Sequence, residues 1–212
     1  MKRIIINLSD NVLSKYAYRT KIDIVNLCLN YTKYAPYAFC EGNTEGNCTL
    51  HIDKMRRLFI YYGNCIHSIH FPFSMQSVGN NLEFYYEDRV LDAKTTSLLL
   101  EFFAGFDKLE TMEDMYEIFL KILEEYDIKD SFNENYLWKL ICHMLIFEPA
   151  YLRYDEDLTS RMNSKTHPAY HIDINYCNTS TFKLGLTKQL KVDEYINILD
   201  INEECNYIDF PK

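Results

Sequence analysis

Glycine and proline are scarce in this chain, with six and five residues among 212. Six glycines are too few to build a phosphate-cradling loop, and the patterns G-x-x-x-x-G-K, G-x-G-x-x-G and G-x-S-x-G are all missing, which excludes the nucleotide-fold and nucleophile-elbow enzymes they mark. The seven cysteines (28, 40, 48, 65, 142, 177, 205) are odd in number and contain no C-x-x-C pair, so neither a disulfide framework nor a zinc ribbon is indicated. A reducing, cytoplasmic compartment is the expectation. Long apolar runs are also missing: Leu98 to Phe103 stops far short of the ~18 residues a membrane span needs. Met1-Lys2-Arg3 leads into only three isoleucines before polar Asn7 and Ser9, too short a run for a secretory signal. No membrane association is expected.

Basic charge is in deficit, with 22 Lys plus Arg against 31 Asp plus Glu and a net charge of -9. The deficit is local. Residues 1 to 80 stand at +4, residues 81 to 135 at -10 and residues 136 to 212 at -3, so the acidity belongs to the middle of the chain and does not exclude an anionic ligand elsewhere. Hydrophobic residues make up 48%, with 18 Tyr and 13 Phe, enough for a sizeable core with strand-containing, aromatic-rich packing.

The periodicity predicts an α+β fold in one domain over residues 1 to 212: a mixed or antiparallel sheet, a helical N-terminal region, and an insertion of about three helices over roughly 92 to 148. Residues 2 to 6 fit a short strand or a helix lead-in. Apolar residues from Val12 to Ala35 recur at helical spacing, as one long or two shorter helices, with Ser9, Asp10 and Asn11 as N-cap candidates and Pro36 as the stop. Runs at Leu50–Asp53, Leu58–Tyr62, Cys65–Phe73 and Leu82–Tyr86 alternate with period two around turns at Gly63-Asn64 and Gly79-Asn80-Asn81. In the acidic middle, Thr111 caps a helix with Met112, Met115, Tyr116, Phe119, Leu120 and Leu123 on one face, and Ser131 with Glu134 forms a capping-box pattern. Strands return at Tyr151–Tyr154, Ala169–Tyr176 and Phe182–Leu186, before a short helix at Val192–Leu199.

The most informative stretch runs from His167 to Tyr176. As a strand it places Pro168, Tyr170, Ile172, Ile174 and Tyr176 on one face and His167, Ala169, His171, Asp173 and Asn175 on the other. Asp and Asn are depleted in ordinary strands, so this polar face marks a local preference overridden by something else. Arg153 and Asp155 share a face of the preceding strand and would join His171 and Asp173 if the two strands pair. Together with His167 they could flank a phosphate or a metal, although the residues specify no cofactor. The same residues also fit a structural role, with Arg153 paired to Asp155 or Asp173 and the histidines bonded to backbone. His67 and His70 face opposite sides of a strand and make poor joint ligands, and His143 reads as a core or boundary histidine. Lys54, Arg56 and Arg57 beside Phe59, Tyr61 and Tyr62 form only a weak footprint for single-stranded nucleic acid.

The order Leu152-Arg153-Tyr154-Asp155, a polar loop, His167-Pro168-x-x-His171-x-Asp173, Phe182 to Leu186 and a closing helix resembles the C-terminal block of an uncharacterised prokaryotic domain-of-unknown-function family, over about the last quarter of the chain. The resemblance implies a bacterial intracellular protein, from a mobile-element or anti-phage locus, and no established reaction. The first expectation is an accessory or interaction protein that recognises a protein partner, with an anionic ligand or nucleic acid as further candidates. The alternative is a hydrolase or nuclease-like effector acting on a phosphate-containing substrate through Arg153, Asp155, His167, His171 and Asp173. It requires those side chains to converge.

Overall fold

The computed structural model describes residues 3–9, 13, 18–41, 45–52, 55–106, 109–158 and 166–207. In chain order its strands are β1 (Arg3–Ile6), β2 (Cys48–His51), β3 (Arg57–Tyr62), β4 (Cys65–His70), β5 (Ser74–Val78), β6 (Asn81–Tyr86), β7 (Arg89–Val90), β8 (Leu152–Glu156), β9 (Tyr170–Ile174) and β10 (Phe182–Gly185). Its helices are α1 (Lys21–Ala38), α2 (Ala93–Ala104), α3 (Met112–Glu125), α4 (Ser131–Ile146) and α5 (Val192–Ile198). The fold is α+β, and every strand pair is antiparallel. Seven strands form one sheet in the order β1-β2-β3-β4-β8-β9-β10, and β5-β6-β7 form a second. The three-helix insertion therefore separates β4 from its sheet neighbour β8. Pairing across that gap places the C-terminal strands beside the N-terminal ones.

The large sheet has two differently covered faces. On one, Ile4, Ile6, Cys48, Leu50, Leu58, Ile60 and Ile69 belong to the main core together with the buried side of α1, including Ile24, Val25, Cys28 and Tyr31. On the other, Phe59, Ile66, Tyr154 and Ile172 pack with Tyr195 and Ile196 of α5 in a smaller core. At about 1.5–3 kcal/mol per fully buried large apolar side chain, these two layers hold the sheet in register. Gly63, at φ 57, supplies the positive φ of the tight turn between β3 and β4, where a side chain would be strained.

Several boundaries differ from the sequence expectation, each for a local reason. The helix that begins at Lys21 is capped by Thr20, which exchanges hydrogen bonds with Asp23 in a capping box, while upstream of it Leu13 is helical and its amide donates to the Ser9 carbonyl at 3.3 Å. Asp10, Asn11, Val12, Tyr16 and Ala17 lie outside the described residues. Pro36 does not stop α1; it sits in the last turn, where the backbone hydrogen bond it forgoes costs one link, and the helix closes after Ala38. Asp130, not Ser131, caps α4, accepting from the Asn133 amide at 2.8 Å. The run from Cys65 to Phe73 ends as a strand at His70, and Ser74–Val78 turns back into the small sheet with β6. The predicted apolar face of α3 is split, with Phe119 and Leu123 buried but Met112, Tyr116 and Leu120 exposed.

Candidate functional site

One row of residues crosses the large sheet from edge to edge. In register it reads Ile6, Cys48, Ile60, His67, Arg153, Asp173, Lys183. The parallel row beside it reads Tyr62, Cys65, Asp155, His171, Gly185. Directly paired residues share a face, so the face that is apolar over β1 to β3 turns polar at His67 of β4 and ionic from β8 onward. Arg153, Asp155, His171 and Asp173 are each at most 4% exposed.

The cluster is tightly connected. Arg153 donates from Nε to Asp155 Oδ1 at 2.6 Å and from Nη2 to Asp155 Oδ2 at 2.5 Å, and Nη2 also reaches Asp173 Oδ2 at 2.6 Å. Lys183 Nζ lies 2.6 Å from Asp173 Oδ1 and 2.9 Å from His171 Nε2. Two cations thus balance two carboxylates in a place where unbalanced charge would be costly. Burial alone would raise the Asp155 carboxyl, but the side-chain contacts from His171, Arg153 and Cys65 and the charge of Arg153 outweigh it and hold Asp155 well below the usual carboxylate range.

The tautomer of His171 follows from its neighbours. Its Nδ1 is 2.8 Å from the Pro168 carbonyl, which can only accept, so Nδ1 carries the proton. An ammonium has no lone pair, so Nε2 must accept from Lys183. His171 therefore directs an Nε2 lone pair into the cluster, 3.4 Å from Asp155 Oδ2 and 3.7 Å from Asp173 Oδ1. Gly185 is part of this arrangement: a Cβ there would stand 2.9 Å from Pro168 Cγ and displace the residue whose carbonyl orients the imidazole. One ligand atom each from Asp155, His171 and Asp173 lies within 4.8 Å of the other two, so these three could hold a metal ion.

Four of the five sequence-predicted residues meet here. The fifth, His167, stands beside them: its ring packs edge-on against His171 at 4.7 Å, while its Nε2 pairs with Asp157 at 3.2 Å, outside the ion network. Asn175 does not extend the polar face, because it adopts φ 71 and bonds Ser180 and the Cys177 amide in the turn that ends β9. Sequence reasoning missed two members. Lys183 on the terminal strand reads as an ordinary charge that blunts a sheet edge, and only the register shows it opposite Asp173. His67 reads as packing, yet it is fully buried directly across from Arg153, with Nδ1 3.0 Å from the Tyr151 hydroxyl and no partner for Nε2 among the described residues. Desolvation, with Arg153 adding to it, pushes the His67 pKa down to about 3.

The other candidates have structural employment. Arg57 donates to Ser68 Oγ at 2.7 Å and to the Ala150 carbonyl, which ties β3 to the entry of β8 and leaves little of it for nucleic acid. Lys54 and Asp53 lie outside the described residues. His143 packs against Tyr86 at 4.9 Å as a boundary histidine. No helix among the described residues is long and apolar enough to cross a membrane. No family model, no curated protein and no solved structure matches this chain.

Proposed function

We propose that the protein is a hydrolase or nuclease-like effector acting on a phosphate-containing substrate through the Arg153–Asp155–His171–Asp173 cluster completed by Lys183. The observation that carries this reading is the convergence itself: an acceptor imidazole, two carboxylates and a partly exposed lysine in mutual contact on a buried sheet face. Such a network offers little stability over an apolar replacement, so its presence calls for a use. Arg153 is spent on the two carboxylates and acts as their clamp. Lys183, with a side chain 29% exposed, is the cation that can turn to a phosphoryl oxygen. The triangle of His171, Asp155 and Asp173 then activates water: its oxygen bonds to phosphorus as the ester P–O bond breaks, and the leaving oxygen takes up the proton the water gives up.

The test is turnover by the full chain on a phosphodiester panel that includes single-stranded oligonucleotide, with and without added divalent cation. Hydrolysis by the wild type, reduced at least about tenfold in Lys183→Gln with the fold retained, is the expected result. A silent wild type under every condition, or a His171→Ala protein that folds and cleaves at the full rate, overturns the reading. The resemblance of the C-terminal block supports a bacterial, cytoplasmic setting in a mobile-element or anti-phage locus.

A second reading, the accessory or interaction protein, is favoured by α3. Met112, Tyr116 and Leu120 follow one another at helical spacing and are exposed, flanked by the exposed Glu113, Glu117 and Glu124. An apolar stripe rimmed with acid fits a basic partner protein. Size-exclusion chromatography of the native complex checks this: a salt-sensitive assembly lost when Met112, Tyr116 and Leu120 are all replaced by Ser supports it, and a strictly monomeric protein removes it.

A further inference from the structure

We infer that Asp155, His171 and Asp173 form a binding site for one first-row divalent cation, Mn²⁺ or Zn²⁺, and that Lys183 holds this position until the ion displaces it. The inference rests on the hydrolase reading only for its purpose; the site itself rests on geometry. Donors bound to such an ion at ~2.1 Å stand roughly 3.4 Å apart in tetrahedral coordination. The His171 Nε2 to Asp155 Oδ2 and Asp173 Oδ1 separations, 3.4 and 3.7 Å, already match. The largest separation in the set is within 4.8 Å and has to shorten when an ion binds.

Three further observations point to an ion. First, the lone pair of His171 is fixed on Nε2 by the Pro168 carbonyl behind it, the same backing that metal-bound histidines receive from a carbonyl or carboxylate. Second, a cation already sits among the donors, since the Lys183 ammonium contacts two of the three. Its side chain reaches solvent and comes from the last strand of the sheet, so it can leave without disturbing the core. Third, Arg153 engages Asp155 Oδ1 and Oδ2 and Asp173 Oδ2, which leaves Asp173 Oδ1 to the ion once Lys183 moves and the second lone pair of Asp155 Oδ2 beside it. One imidazole with two carboxylates suits Mn²⁺ or Zn²⁺ better than the all-oxygen cages that Ca²⁺ requires. Exchanging a monovalent ammonium for a divalent ion shifts the balanced cluster to a net positive charge and frees Lys183. Both changes favour an anionic phosphoryl group at the same place.

Isothermal titration of the chelator-treated full chain with MnCl₂ and, separately, ZnCl₂ tests the site. One ion per chain is expected. Binding is expected to be lost in Asp173→Asn, with circular dichroism confirming the fold, and tightened by about tenfold or more in Lys183→Met, which removes the competing charge. The lysine variant guards against misfolding of the aspartate variant, because Lys183 lies at the periphery. No heat of binding in either the wild type or Lys183→Met overturns the site, as does unchanged affinity in a folded Asp173→Asn. Lys183→Met binding no tighter than the wild type overturns the displacement. Stoichiometric binding without phosphodiester turnover keeps the ion site and removes the hydrolase reading. Turnover that survives chelation, with no titratable site, does the reverse.

Discussion

Arg153→Met is expected to destabilise the protein by about 3–5 kcal/mol, because it leaves two buried carboxylates with one lysine, bonded to Asp173, to offset them. Arg153 hydrogen-bonds both Asp155 and Asp173, and all three are nearly inaccessible to water. Relative to the roughly 5–15 kcal/mol that holds a typical domain folded, this is a large share. Urea unfolding followed by tryptophan fluorescence measures it: the midpoint should fall strongly while the slope stays constant. The triple variant Arg153→Met, Asp155→Asn, Asp173→Asn should recover much of the loss, since it leaves no uncompensated charge. An unchanged midpoint in Arg153→Met would show that the ion cluster is not buried as described.

The second large effect is acid lability. His67 holds its proton at about 3 in the folded chain and at an ordinary 6.5 when unfolded, because burial penalises the imidazolium and Arg153 repels it. Between those values the unfolded chain binds a proton that the folded chain refuses. Stability from this group is therefore fully present above the unfolded pKa and is lost as pH falls, by about 1.4 kcal/mol per unit. Lowering the pH from about 6.5 to about 4 removes roughly 3 kcal/mol. His70 and His143 act in the same direction, each lowered mainly by burial. The depressed carboxylates, Asp155 among them, enter only as pH falls through and below the ordinary carboxylate range near 3.8, so the window above about pH 4 belongs to the histidines. Urea midpoints across this window should decline steadily in the wild type and distinctly less in His67→Gln. Wild-type midpoints that stay flat down to about pH 4.5 would contradict the burial of His67.

Much of the architecture was legible in the chain. The helices of the insertion follow from apolar periodicity and from Thr111, whose side chain accepts from the Asp114 amide as a cap should. The four site residues on β8 and β9 were legible because Asp and His stand where strands prefer other side chains, and because period two puts Arg153 with Asp155 and His171 with Asp173. The errors cluster where local signals compete. Ser131 and Asp130 are both good caps, and one residue of difference in where the chain turns decides between them. Thr20 and Asp23 carry a complete capping box inside a stretch whose apolar period already reads as helix, so the cap is hidden by the pattern upstream of it.

What the sequence determined by itself is therefore one-dimensional: which segments alternate, which residues share a strand face, and where acidity concentrates. Which strand lies beside which was decided only in three dimensions. The β4–β8 pairing joins residues 65–68 to residues 152–155 across the whole helical insertion, and no local spacing encodes a hydrogen-bond register over that distance. That one register brings His67 to Arg153, just as the β9–β10 register brings Lys183 to Asp173 and His171. Four polar residues on β8 and β9, joined by Lys183 of β10, become an enclosed, charge-balanced centre because they continue a sheet face that is apolar over β1 to β3.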